Sequence, residues 1–156
     1  MLYGNLTQEI IGCAMKVHRT LGPGFLESVY QSALLHELRK ARLKAEDQTA
    51  IAVHYDGVLV GSFVADILVD GRVIVENKAV RALAPIHEVQ LVNYLTATGL
   101  EVGLLLNFGA ESLEFKRRVR TYRPGSGQDA AEAVNDRADD ESHPMDSGQD
   151  FADLQD

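Results

Sequence analysis

The fold is decided by residues 63–78, which read FVADILVDGRVIVENK. Two apolar runs flank Asp70-Gly71, and an Asp-Gly pair between such runs is typical of the turn of a β-hairpin. Because buried strands should be apolar, the charged residues inside these runs are the informative ones. They are Asp66 in the first run, and Glu76 and Lys78 in the second. Glu76 and Lys78 are two residues apart, so they share one face of their strand.

The length of the hairpin turn decides whether the two acids share a face of the sheet. With a two-residue turn, Glu76 would point to the opposite face from Asp66. With a three-residue turn over residues 69–71 and a left-handed Gly71, Asp66 would lie opposite Ile74, with Glu76 as its diagonal neighbour on the same face. We predict the three-residue turn. Two carboxylates on one patch then repel each other unless they share a cation or one stays protonated.

These three residues alone also allow a structural interpretation. An aspartate beside a hairpin, and a Glu–Lys pair on an edge strand, are common as solvated surface or as a simple ion pair. Further signals are therefore needed to assign chemistry to them.

Hydrophobic periodicity and turn residues predict the other elements of the fold. Gly22-Pro23-Gly24 must separate the first two helices, and Ala84-Pro85 precedes the third. The predicted helices span residues 6–20, 26–41 and 86–98, and the predicted strands span residues 48–55, 58–69, 72–80, 101–108 and 112–120. The order ααβββαββ predicts an α/β protein with a mixed sheet flanked by helices.

The charge of the chain is divided unevenly along it. The 156 residues carry a formal net charge of −8. Residues 125–156 hold ten acidic side chains and one basic one, Arg137, whereas residues 1–124 carry a net charge of +1. We predict a folded domain over residues 1–124 and a disordered acidic tail over residues 125–156. The tail would serve solubility, or would shield a basic site by mimicking a polyanion.

Several classes of protein are disfavoured by the composition. A membrane span needs about 18 or more consecutive apolar residues, and the sequence contains no such run. The first residues lack the basic and apolar regions of a secretory signal. A single cysteine, Cys13, excludes an internal disulfide framework and a cysteine-based zinc site. These features together predict a cytoplasmic protein.

Four motifs, in a fixed order along the chain, are similar to those of a known protein family. Gly24, Glu27 and Tyr30 form G-x-x-E-x-x-Y, and Ala65-Asp66 and Glu76-Asn77-Lys78 follow it. The fourth motif is the run from His87 to Tyr94. With these motifs, residues 2–124 resemble the GxxExxY family of the PD-(D/E)XK nuclease superfamily, whose members include restriction endonucleases and RecB-like and lambda-type exonucleases.

The resemblance implies a restriction-endonuclease-like αβββαβ core and a metal-dependent phosphodiesterase site. Asp66 and Glu76 would be the metal-binding carboxylates of the D…ExK motif, and Lys78 its lysine. Glu27 would complete the site from a helix. Gln90 and Tyr94 would be the Q-x-x-x-Y pair of the RecB-like branch. The middle residue of E-x-K is Asn77 where an apolar residue is expected, although its main-chain carbonyl can still bind a metal.

The chemistry of these residues agrees with that assignment. Carboxylates suit a hard, octahedral cation, so Mg²⁺ is the expected metal, with Mn²⁺ as a possible substitute. Gln90 and Tyr94, four residues apart, can line one face of the third helix. The expected activity is hydrolysis of nucleic acid, DNA more than RNA. The alternatives are a non-catalytic module that binds nucleic acid or a partner, and a nuclease that works as a homodimer or within a larger assembly.

Overall fold

The computed structural model describes residues 1–120 and has three helices and five strands there, in the predicted order. The predicted tail over residues 125–156 lies outside the described residues. The helices are α1 (Gly4–Leu21), α2 (Glu27–Lys40) and α3 (Pro85–Thr98). The strands are β1 (Ala45–Tyr55), β2 (Val58–Val69), β3 (Val73–Lys78), β4 (Val102–Asn107) and β5 (Glu114–Val119). Within residues 1–120, no helix combines the length and the apolar character needed to cross a bilayer.

The five strands form one mixed sheet in the order β1-β2-β3-β4-β5. Only the β3–β4 pair is parallel, and α3 makes the connection between these two strands. The other neighbouring pairs are antiparallel. The predicted α/β class, with a mixed sheet between helices, is confirmed.

Helices cover both faces of the sheet and enclose two apolar cores. Leu34 of α2 packs with Val75 and Leu104 in the core on the side of α1 and α2. Leu91 of α3 packs with Ile74 in the core on the other side. Because the central strands are buried on both faces, they read as continuous apolar runs in the sequence. A polar side chain in β3 is therefore removed from water at a cost in free energy, and this cost needs an explanation.

The β1–β2 pair is irregular at Asp66. Gln48, within β1, has a left-handed φ of 52°, and the ladder omits the pair that it would make with Asp66. Ala65 packs in the core on the α3 side, whereas Ile67 packs in the core on the α1–α2 side. Residues two apart in a regular strand share a face, so β2 changes its orientation at Asp66. The prediction that β1 begins at residue 48 is wrong, since β1 begins at Ala45 and continues through this distortion.

Candidate active site

The hairpin between β2 and β3 has a turn of three residues, but not the three predicted. The ladder pairs Val69 with Val73, so the turn comprises residues 70–72 and the prediction of residues 69–71 is wrong by one position. Asp70 and Gly71 both adopt left-handed backbone angles, with φ of 52° and 64°. Two consecutive left-handed residues tighten the turn directly after β2, which moves the whole turn one residue along the chain.

This register sets Asp66 and Glu76 across from each other. The ladder reaches Ile67 and Val75, and the next position along each strand is Asp66 and Glu76. The two acids therefore lie on the same face, as predicted, but opposite each other rather than diagonal. Side-chain hydrogen bonds replace the backbone ladder at this point: the Asp66 N–H donates to Glu76 Oε1 at 3.1 Å.

Glu76 is buried, Asp66 is partly buried, and their carboxyl groups interact with each other. Burial raises the pKa of Glu76 well above its usual range, and the neighbouring Asp66 carboxylate raises it further. Burial also raises the pKa of Asp66, although the Asn77 N–H, at 2.8 Å from Asp66 Oδ2, and the Lys78 charge oppose that rise. The hydrogen bond between the two carboxyl groups raises the pKa of Glu76 further and lowers the pKa of Asp66.

Lys78 is buried at the end of β3, with an exposed fraction of 4%. It lies on the same face of β3 as Glu76, and its charge lowers the pKa of both neighbouring acids. The strand is fixed beyond Lys78 by Asn107 of β4, whose side chain accepts from the Val80 N–H at 3.0 Å and donates to the Val80 carbonyl at 2.9 Å. The backbone that carries the ammonium group is therefore fixed at Lys78 by the β3–β4 ladder and at Val80 by Asn107.

Asn77 is accommodated by a polar partner rather than by apolar packing. It is fully buried, and its Nδ2 donates a short hydrogen bond to Gln31 Oε1 of α2. Gln31 is the site residue that the sequence reasoning missed. Its only signal in the sequence was a polar residue next to Tyr30 on the buried side of an amphipathic helix.

Gln90 and Tyr94 meet on α3, as their spacing predicts. Gln90 Nε2 donates to the Tyr94 hydroxyl at 2.5 Å. The Tyr94 ring stacks on Phe63 of β2, with 3.8 Å between ring centroids. Burial raises the pKa of Tyr94, and the charges of Glu76 and Asp66 raise it further.

Glu27 occupies the first residue of α2 in the G-x-x-E-x-x-Y motif. Gly24 adopts a φ of 107° that favours glycine. The Tyr30 hydroxyl donates to the Gly22 carbonyl at 2.5 Å and accepts from the Phe25 N–H at 3.1 Å. The glycine and the tyrosine therefore fix the loop that leads into α2, and this fixes where Glu27 begins the helix.

A complete three-acid metal cluster is not formed by side chains alone. Among residues 1–120, no group of three histidine, cysteine, aspartate or glutamate side chains lies close enough to hold a metal ion. Asp66 and Glu76 are brought together, and Glu27 is not grouped with them. The assignment of Glu27 and of the Asn77 carbonyl as metal ligands stays a prediction.

Other candidate residues have structural roles. His87 Nδ1 accepts from the Ala84 N–H at 3.0 Å and so helps to cap α3. The sequence has one basic cluster, which suits either phosphate contacts or the protection of an edge strand: Lys116, Arg117, Arg118, Arg120 and Arg123. Arg118 lies 3.0 Å from Glu88, and Arg120 lies 2.6 Å from Glu101. Arg123 of the same cluster lies outside the described residues. The alternative of an edge strand protected by charge fits these pairs better than a surface that binds phosphate.

Comparison with known proteins finds a matching family and similar solved structures. The sequence model of the PD-(D/E)XK nuclease superfamily matches residues 4–119. The chain is similar to the crystal structure of SSO0001, with 16% identity and a TM-score of 0.48, over 74% of this chain and 59% of that one. It is also similar to an alkaline exonuclease (LHK-Exo) from Laribacter hongkongensis, with 11% identity and a TM-score of 0.42, over 74% of this chain and 66% of that one. The chain thus spans less than two thirds of the length of either structure, and no curated protein matches it.

Proposed function

Because the chain belongs to the PD-(D/E)XK nuclease superfamily, we propose that it hydrolyses phosphodiester bonds of nucleic acid with the help of a divalent metal ion. The observation that carries the proposal is the hydrogen bond between partly buried Asp66 and buried Glu76, on a strand that also carries the buried Lys78. Burying Glu76 and Lys78 beside the partly buried Asp66 costs stability, and a site that binds a cation and a phosphate explains their placement.

The donor set fits Mg²⁺, with Mn²⁺ as a substitute. Mg²⁺ is usually bound through one or two carboxylates together with water and substrate phosphate, so the pair of Asp66 and Glu76 is sufficient as its protein anchor. A divalent cation would offset the repulsion that raises the pKa of Glu76. We propose Glu27 and the main-chain carbonyl of Asn77 as the additional ligands.

The bound ion would stabilise charge on the phosphate and lower the pKa of a coordinated water. Lys78, two residues from Glu76 on the same face, would donate a hydrogen bond to a phosphate oxygen or to the attacking water and offset negative charge. Its placement at the end of a held strand keeps this charge in position.

Tyr94 and Gln90 would orient the substrate. Because the pKa of Tyr94 is raised, its hydroxyl stays protonated and can donate a hydrogen bond but cannot act as a base. That hydroxyl already accepts from Gln90, so its proton is directed elsewhere, toward a phosphate oxygen or a sugar. Stacking on Phe63 holds the ring in this orientation.

The substrate class is best tested with a panel of nucleic acids. Labelled single- and double-stranded DNA and RNA are incubated with the protein and Mg²⁺, Mn²⁺ or EDTA. We expect metal-dependent cleavage, of DNA more than RNA, that is lost in Lys78→Ala and retained in Lys44→Ala, an exposed lysine paired with Glu46. Binding without cleavage under all conditions would contradict the enzyme and favour a non-catalytic module that retains the fold.

We further propose that two copies associate through the hairpin formed by β1 and β2, residues 45–69, which we call the β1–β2 arm. The arm leaves five large apolar side chains exposed by about half or more, and residues 45–71 contain no lysine or arginine to contact a polyanion. These side chains are Tyr55, Val58, Leu59, Val60 and Val64. Their exposed area is on the order of 500 Å² per copy, so two copies would reach about the 1,000 Å² of a small specific interface. In analytical ultracentrifugation, we expect the wild type to sediment as a dimer and Leu59→Lys to sediment as a monomer. A wild-type protein that remains a monomer at high concentration would contradict the proposal.

A further inference from the structure

Gln31 connects helix α2 to three strands at the candidate active site. It is buried, with an exposed fraction of 9%, and lies one helical turn after Glu27 on the same face of α2. Its Nε2 donates to the main-chain carbonyl of Asp66 at 2.8 Å and to Asp47 Oδ1 at 3.0 Å. Its Oε1 accepts from Asn77 Nδ2. One side chain is therefore bonded to β1, β2 and β3.

The backbone ladder does not hold the metal pair by itself. The β2–β3 ladder ends at Ile67 and Val75, one position before Asp66 and Glu76. On the other side, the β1–β2 ladder omits Asp66 because Gln48 is left-handed. The direction of the Asp66 side chain is consequently not imposed by regular strand geometry.

Gln31 acts on both strands where the ladder is missing. By binding the Asp66 carbonyl, it fixes the peptide plane of the residue that carries the first carboxylate. By binding the Asn77 side chain, it fixes the residue whose N–H donates to Asp66 Oδ2 and which stands between Glu76 and Lys78. The contact with Asp47 holds β1 beside its strained residue.

The chemistry of position 31 requires an amide. The site needs a donor for Asp66 and Asp47 and an acceptor for Asn77, and a glutamine offers both. A carboxylate would face the oxygens of Asp47 and Asp66, and an apolar side chain would leave the Asn77 Nδ2 without its partner. Each buried polar group left unsatisfied costs about 1–3 kcal/mol, which the network would relieve by moving.

We infer that Gln31 is the positioning residue of the Asp66–Glu76 pair: it aligns the two strands that carry the acids without touching the substrate or metal. The inference rests on the proposed function only for its effect on activity. The alignment itself is a property of the metal-free protein and can be measured there.

The test compares Gln31→Met, which keeps the length of the side chain, with Leu35→Ala, which removes core packing from the same helix. The first readout is hydrogen exchange of the Asn77 and Asp66 amides without metal, and the second is Mn²⁺ affinity. The third is the split between kcat and KM on DNA, measured well below the melting temperature of each variant. Gln31→Glu, which keeps the acceptor and loses the donors, serves where Gln31→Met does not fold.

We expect the Gln31 variants to exchange both amides faster, to bind Mn²⁺ about 10-fold or more weakly, and to lose kcat while KM changes little. Leu35→Ala should lower the melting temperature and leave all three readouts at wild-type values. The inference would be overturned if the Asp66 and Asn77 amides exchanged at wild-type rates in both Gln31→Met and Gln31→Glu. It would also be overturned if Leu35→Ala changed the three readouts as much as the Gln31 variants do. A wild-type protein that neither binds Mn²⁺ nor cleaves would overturn the proposed function, and the exchange readout would still decide the role of Gln31.

Discussion

Glu76 carries the clearest physical signature of function at the scale of single residues. It is 8% exposed, faces a second carboxyl group, and has a pKa well above its usual range. A buried acid in this state destabilises the folded protein once it ionises, since the unfolded chain ionises it more easily. Such a residue is expected where a bound cation offsets this loss of stability.

Glu76→Gln should therefore stabilise the metal-free protein. The amide keeps the acceptor for the Asp66 N–H and supplies a donor in place of the shared proton. Because the folded pKa is raised, the wild-type protein loses stability as pH rises through that pKa, and the variant does not. In EDTA, the melting temperature of Glu76→Gln should exceed that of wild type by several degrees, with a gap that grows with pH. Glu9→Gln, an exposed control, should show no gap, and a variant less stable than wild type at every pH would contradict the assignment.

Metal affinity should depend on pH for the same reason. Binding requires both carboxylates in ionised form, and because the pKa of Glu76 is raised, metal binding should release a proton from it. Mn²⁺ affinity should rise with pH, and calorimetry in two buffers of different ionisation enthalpy should detect the released proton. An affinity that is flat with pH, without proton release, would show that the metal binds elsewhere.

At the scale of elements, the segment after β3 fixes the position of Lys78. Asn107 binds both backbone groups of Val80. Gly109 brings its backbone against the same segment, and a Cβ built at Gly109 would lie 2.3 Å from the Val80 carbonyl oxygen. The absence of a side chain at Gly109 is thus a condition for holding the end of β3.

Gly109→Ala should destabilise the protein by about 1–3 kcal/mol, because the contact is with backbone that cannot give way. It should also lower cleavage activity by displacing Lys78. Gly61→Ala is the matched control, since a Cβ at Gly61 meets nothing within 4 Å. Urea unfolding of both variants measures the difference, and equal stability of the two would refute the role of Gly109.

The sequence predicted the elements better than the details that shape the site. Apolar periodicity and the Asp70-Gly71 turn signal were sufficient for all eight elements and for the shared face of Asp66 and Glu76. The turn was misplaced by one residue because the left-handed angle of Asp70 has no unique sequence signal. Gln48 and Gln31 escaped notice because their roles arise only when three strands and a helix meet.

At the scale of the whole molecule, the net charge of −8 arises from residues 125–156, which carry a net charge of −9. Residues 1–124 carry a net charge of +1, and two arginines at the end of the described sheet, Arg118 of β5 and Arg120 just after it, are paired with Glu88 and Glu101. Attraction of nucleic acid would therefore be local to the site, and ten acidic side chains on the same chain would compete with a polyanion for that site.

Deletion of residues 125–156 tests that competition. If the acidic segment screens the site, the shortened protein should bind DNA more tightly at low salt, and the gain should disappear as salt rises. Fluorescence anisotropy across a salt series measures both effects, with circular dichroism as the control for folding. Unchanged affinity at low salt would assign the segment to solubility instead.

The most direct test of the central claim is the initial rate of Mg²⁺-dependent DNA cleavage by wild type and by Glu76→Gln. The variant is expected to be at least as stable as wild type, so a loss of rate cannot come from unfolding. The mechanism predicts cleavage by wild type that EDTA abolishes. It also predicts that Glu76→Gln cleaves at a rate lower than that of wild type by a factor of roughly 10²–10³ or more. Cleavage by a folded Glu76→Gln at the wild-type rate would contradict the assignment of the Asp66–Glu76 pair as the metal site of a nuclease.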